Sequence, residues 1–192
     1  MKKKIIDYSV HFLKEIIPVI AGILIALFID NWNSDRKDKN YINQVISTIN
    51  SEIKDSKEDI ITIIPQHESL IKSLETQATN NKMTILEIVM NSKGINIPQI
   101  KTNAWKSVSN SKIDLIEYNK ITSLSNIEDE KLILNKKSDF LMNFLYTNIN
   151  SSDKNQKITL KMILMDILQT EKTMQKRMEE FEKLSKTFNS SK

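Results

Sequence analysis

Only two residues in this sequence, His11 and His67, are of the type that ordinarily gains or loses a proton near neutral pH, and the chain contains no cysteine. A zinc or redox centre needs several convergent His, Cys or carboxylate ligands, so no metal site and no cofactor are predicted. His67 falls on an apolar helical stripe, where it reads as a polar interruption of a helix seam and not as a general base. The acids offer no better start. Glu128, Asp129 and Glu130, and later Glu179, Glu180 and Glu182, are flanked by lysines on predicted helices, the pattern of a solvated face. No spacing selects a pair of carboxylates for acid-base work, and Gly22 and Gly94 are too isolated to form a phosphate-cradling loop. The expectation is a protein without catalytic residues, not an enzyme.

What remains is chemistry of solvent preference, concentrated near the N-terminus. The unbroken apolar run Ile16 to Ile29 covers roughly 21 Å as a helix, against a hydrocarbon layer of about 30 Å. Val10 to Leu13 extend it, with Lys14 able to snorkel to the interface, and Tyr8 and Trp32 stand at opposite ends as interfacial anchors. Lys2, Lys3 and Lys4 would suit a signal peptide. The run ends in Phe28-Ile29-Asp30 without a small-x-small cleavage pattern, so an uncleaved signal anchor is predicted. The basic residues Lys2, Lys3, Lys4 and Lys14 outnumber Arg36, Lys37 and Lys39, which predicts a cytoplasmic N-terminus and a periplasmic C-terminal domain.

At about 100° per residue, Glu15, Val19, Gly22, Ala26, Ile29 and Asn33 lie within about 40° of one line. Gly22 and Ala26 have the small-xxx-small spacing that lets helix backbones approach closely in lipid, and Glu15 on the same side can hydrogen-bond a partner helix. This face predicts association with a second copy or with another membrane protein.

The elements beyond the span follow from composition and period. In 192 residues there are two glycines and three prolines, with 40% hydrophobic and 27% charged residues, which excludes a turn-rich β architecture. The net charge of +4 is spread over interleaved acids and bases, without a basic stripe or zinc-finger spacing, so nucleic acid is not a predicted partner. The fold class is all-α: a transmembrane helix continuing into a long helix, with a membrane-tethered helical bundle. Residues 1–9 form the short N-terminus, 10–29 the span and 30–192 the extracytoplasmic domain. Its long helix covers about 31–78, short helices about 84–92 and 102–110, and long helices about 118–149 and 157–188.

Ile42, Ile46, Ile49, Ile53, Ser56, Ile60, Ile63, His67, Leu70 and Leu74 form a stripe with heptad spacing, suited to a coiled coil or to one face of an intramolecular bundle. Pro65 is expected to kink or break it. Gly94 is the expected cap of the first short helix, Ile95 to Pro98 reads as extended, and Trp105 and Val108 point to the core. Ile121, Leu124, Ile127, Leu134, Phe140, Leu141, Phe144 and Leu145 are the predicted buried side of the next helix. Ile158, Met162, Met165, Leu168, Met174, Met178, Phe181 and Leu184 are that of the last.

Glu15-Ile16, Val19, Gly22 to Leu27, Asn31-Trp32-Asn33 and Arg36 together resemble an uncharacterised family of bacterial single-span proteins, with an E-I-x-L-V-x-x-G-I-L-I-A-L span followed by N-x-W-N-E-x-R. Ala104-Trp105, Leu115-Ile116 and Leu124 are similar to that family's later pattern. The sequence departs from it at Pro18, where Leu is usual, and at Ser34, where Glu is usual. The resemblance implies an inner-membrane protein and supplies no catalytic residue. Two functions follow: a noncatalytic component of the cell envelope acting by helix–helix association or, alternatively, an extracytoplasmic small-ligand sensor signalling through a partner.

Overall fold

The computed structural model describes the backbone of residues 2–189 and the side chains of Phe12 and of residues 14–186. Tyr8 therefore lies outside the described side chains. The chain is all-α, with five helices and one short 3-10 turn among the described residues: α1 (Lys2–Thr76), α2 (Ile85–Asn91), α3 (Asn103–Ser109), the turn Ile113–Leu115, α4 (Tyr118–Asn148) and α5 (Lys154–Asn189). It divides into two compact units, Met1–Gln44 and Val45–Lys192, and α1 contributes to both.

The first unit is a single helix in which every residue from 17 to 37 is exposed. In the second, α1 buries Ile49, Ile53, Ser56, Ile60, Ile63, His67, Leu70 and Leu74. These positions alternate steps of four and three, and the stripe is consumed inside the chain's own bundle. Of the two outcomes expected at Pro65, a break does not occur: the backbone remains helical through it to Thr76. The proline costs one hydrogen bond to the Ile61 carbonyl, on the side where both Ile61 and Pro65 are exposed and water can replace the donor. The buried neighbours Ile60, Ile63 and His67 hold the helix in place on the other side.

Inter-helix bonds set the direction of packing. Along α1 and α5, Lys57 meets Glu182 at 2.6 Å, Glu68 meets Lys172 at 2.6 Å and Glu75 meets Lys161 at 3.3 Å. Rising numbers on one helix against falling numbers on the other make the pair antiparallel. Glu130 with Arg177 (3.1 Å) and Lys137 with Asp166 (2.8 Å) make α4 antiparallel to α5 as well. α4 therefore runs in the same direction as α1, and the chain must return along α1 before α4 can begin.

The segment after α2 makes that return. Asn96 bonds Gln66, the Lys101 amide donates to Ser56 Oγ at 2.9 Å and the Ala104 amide to Glu52 Oε2 at 3.1 Å, so the segment descends as α1 is read backwards. The six extended residues 97–102 and the first two of α3 reach at most about 23–25 Å, enough to retrace the roughly 21 Å rise of the α1 stretch between Gln66 and Glu52.

Local signals set the shorter elements. Thr84 and Glu87 form a reciprocal capping box at the start of α2. At its end Lys93, not Gly94, takes the left-handed position directly after the cap (φ 69°), followed by Gly94 (φ 83°), whose amide reaches back to the Val89 carbonyl at 2.9 Å. α5 starts at Lys154, earlier than expected, because Asp153 accepts the Gln156 amide at 2.9 Å and caps the helix.

Two predicted faces are corrected. Phe140 is 60% exposed on α4, while Leu124, Ile127, Leu134, Leu141 and Leu145 are buried. On α5, Met162 and Met165 are exposed, and Leu160, Leu164 and Ile167 carry the first half of the buried face before Met174, Met178 and Phe181 continue it. Both periodicities fit the sequence of α5. Packing against two helices decides between them.

Candidate functional site

In the first unit, Glu15, Val19, Gly22, Ala26, Ile29 and Asn33 are all exposed on α1, as are Lys14 and Trp32. A Cβ built on Gly22 meets nothing within 4 Å. α1 contains one segment long and apolar enough to cross a membrane: an 18-residue window of mean hydropathy 1.8 within Lys14–Thr76, none of it buried by the rest of the chain. Phe12, Ile17, Val19, Ile20, Ile23, Leu24, Ile25, Leu27, Phe28, Ile29 and Trp32 each expose half or more of their surface. Side chains of these kinds are stabilised by about 1.5–3 kcal/mol each when fully removed from water, so the segment as a whole leaves roughly 15–30 kcal/mol unclaimed. That exceeds the whole net stability of a typical domain, about 5–15 kcal/mol.

In the second unit, the polar interruptions of the α1 stripe prove to be connections. His67 Nδ1 lies 3.0 Å from Glu171 Oε2, and both side chains are sealed from solvent. The contact joins the middle of α1 to the middle of α5. His67 Nε2 and Glu171 Oε1 have no hydrogen-bond partner. A substrate does not reach this pair in the packed bundle; the arrangement is a polar clasp between helices, with one donor or acceptor left over at each end.

Ser56, the other interruption, donates to the Glu52 carbonyl at 2.7 Å and accepts the Lys101 amide. Glu52, Ser56 and Asp59 stand one and two turns apart on the same side of α1, and they receive the amides of Ala104, Lys101 and Gln99 in turn. An extended segment beside a helix has no ladder to satisfy its amides, and these three side chains stand in for one. Lys101 also binds Asp55 at 2.8 Å, and that hydrogen bond together with the carboxylate charge raises its pKa. Lys131 donates to Thr102 Oγ1 at 3.1 Å, its pKa lowered by burial and then by the charge of Lys106.

The Glu128–Asp129–Glu130 cluster is not simply a solvated face. Glu128 accepts the indole N–H of buried Trp105 at 2.8 Å, and Glu130 accepts from Arg177; only Asp129 points away into solvent. Lys157 is fully buried in α5 and donates to the carbonyls of Gln77 (3.2 Å) and Asn80 (2.6 Å), just past the end of α1, where a helix presents its negative pole. None of these roles carries a spacing signal in the sequence. Among the described residues, no three His, Asp or Glu side chains converge as a metal site would need.

The fold and the exposed segment together define a class: an all-α protein with, among the described residues, one helix long and apolar enough to cross a membrane. No protein-family model matches the chain, and comparison with curated proteins and with solved structures gave no match.

Proposed function

We propose that this is a single-pass protein of the bacterial inner membrane, held by an uncleaved signal anchor, that works by helix–helix association and not by catalysis. The observation that carries the reading is the unburied apolar window of α1, which needs a nonaqueous surrounding that the chain itself does not supply. In this reading the lipid bilayer covers most of the segment. The Glu15, Val19, Gly22, Ala26, Ile29 and Asn33 face is kept for a second copy or another membrane protein, because small side chains allow the close backbone approach on which association in lipid depends. The excess of lysine before the span supports a cytoplasmic N-terminus and a periplasmic domain of residues 30–192.

The small-ligand sensor would need a polar-lined chamber between helices, whereas the α1, α4 and α5 interior is built from Ile, Leu, Met and Phe with the His67–Glu171 clasp at its centre. Association is therefore the better supported reading. Its test is crosslinking and copurification from native membranes. Gly22→Leu combined with Ala26→Leu is expected to abolish recovery of the partner, or of a tagged second copy, with the variant still membrane-bound. Undiminished recovery refutes the role of this face. Reporter fusions at Lys192 test the orientation, and a cytoplasmic-only signal refutes it.

A further inference from the structure

We propose that the His67–Glu171 clasp is a proton-operated joint: it holds α1 against the antiparallel α4–α5 pair while it carries no net charge, and gain or loss of one proton opens that contact. The joint lies wholly within residues 45–192 and does not depend on the association face of the span.

The packing of the helices sets where the joint lies. Among the described residues, α4 and α5 are the one pair of helices whose backbones run in sustained close contact, and α1 comes that near to another helix only at isolated points. Of the ion pairs that tie α1 to α5, only the clasp is sealed from solvent. One turn to either side it is flanked by Ile63, Leu70, Ile167 and Met174, all buried. The charged groups that border it are paired with one another. Glu68 of α1 meets Lys172 of α5 at 2.6 Å; from α4, Lys137 meets Asp166 and Thr170 Oγ1, each at 2.8 Å, and Glu130 meets Arg177 at 3.1 Å. The segment after α2 brings only the neutral Asn96, bonded to Gln66.

A pair so enclosed favours one proton count. Imidazolium with carboxylate, or imidazole with carboxylic acid, is neutral as a whole. One proton more leaves a net positive charge and one fewer a net negative charge, and in apolar surroundings either is far costlier than the neutral pair. The contact between Nδ1 and Oε2 is the one hydrogen bond of both side chains, and Nε2 and Oε1 have no partner, so no neighbouring group takes up the added charge. Opening lets water reach both groups, and the charged states are then tolerated.

The chain has no cysteine, so spin labels are placed by substitution alone. Ile61→Cys with Lys176→Cys, exposed on α1 and α5, reports the joint by pulsed electron paramagnetic resonance on the full chain in nanodiscs. Leu132→Cys, exposed on α4, with Lys176→Cys reports the α4–α5 pair. Between about pH 4 and about pH 10 the α1–α5 distance is expected to be single in the middle of the range and to gain a longer component towards both ends, the ratio of open to closed forms changing by up to about tenfold per pH unit, the limit for one proton. The α4–α5 distance stays single throughout. In His67→Leu with Glu171→Met the longer component is absent at every pH. Glu171→Gln, which keeps the shape of the side chain, retains the acid arm alone, because the imidazole can still take up a proton and no shared proton is left to lose. The proposal is overturned by an α1–α5 distance that does not change with pH, by one that changes equally in the double variant, by both arms persisting in Glu171→Gln, or by an α4–α5 distance that lengthens in step with the other.

Discussion

Replacing His67 by leucine removes the only hydrogen-bond partner, among the described residues, of the wholly buried Glu171 side chain. Glu171 Oε1 already has no hydrogen bond, and Oε2 loses its 3.0 Å contact, so neither oxygen of the side chain would be paired. Breaking a buried pair from one side typically costs about 3–5 kcal/mol, because the desolvation of the remaining group is no longer offset. Replacing both partners, His67→Leu with Glu171→Met, removes the polar groups altogether and fills the space with apolar atoms of similar size. That double variant is expected to match the wild type or exceed it by about 1–4 kcal/mol. The assay is urea unfolding of the full chain in nanodiscs, followed by circular dichroism and analysed as a double-mutant cycle with Glu171→Met alone. The cycle should show strong non-additivity, the second substitution rescuing the first. A loss below about 1 kcal/mol for His67→Leu, or a double variant as destabilised as the sum of the singles, refutes the view that these groups matter mainly to each other.

Two further consequences concern the elements around the clasp. Trp105→Phe keeps most of the buried ring but leaves Glu128 Oε2 without the indole donor, so a loss of about 1–2 kcal/mol is expected, against about 3–5 kcal/mol for Trp105→Ala; equal losses would show that the hydrogen bond dominates over packing. The Glu87 carboxyl is held below its ordinary pKa, first by the Thr84 backbone N–H and then by the Thr84 hydroxyl. A lowered folded-state pKa means that the capping box contributes fully above the unfolded value of about 4.3 and is lost as pH falls through the lower folded value. Amide exchange at Thr84 should therefore accelerate in that acid range, and a Glu87→Gln chain, which has no carboxyl to protonate, should show no such step.

Much of the architecture was legible because it depends on contacts within one or two turns. The stripe from Ile49 to Leu74, the Trp105–Val108 pair and the turn before α5 are statements about local period and local breakers, and the buried positions fall on them. Pro65 does not end the helix for a related reason: its local penalty is real, yet it falls on the solvent side of a helix whose other side is packed. On α5, Met162 and Met165 fitted the helical period as well as Leu160, Leu164 and Ile167 did. A period selects a set of faces, and only the position of the neighbours selects one of them.

The sequence by itself determined the helical class and the apolar segment of α1, since backbone propensity and solvent preference are properties of adjacent residues. Only the tertiary structure decided what the polar residues in the stripe are for. Ser56 meets an amide 45 residues on, and His67 meets a carboxylate 104 residues on. Nothing near either residue encodes those partners, because they become neighbours only when α5 folds back along α1 and the segment after α2 returns beside it. Burial then turns two apparent flaws in a hydrophobic face into the groups that hold the bundle in register, since a polar atom removed from water is costly unless such a partner arrives.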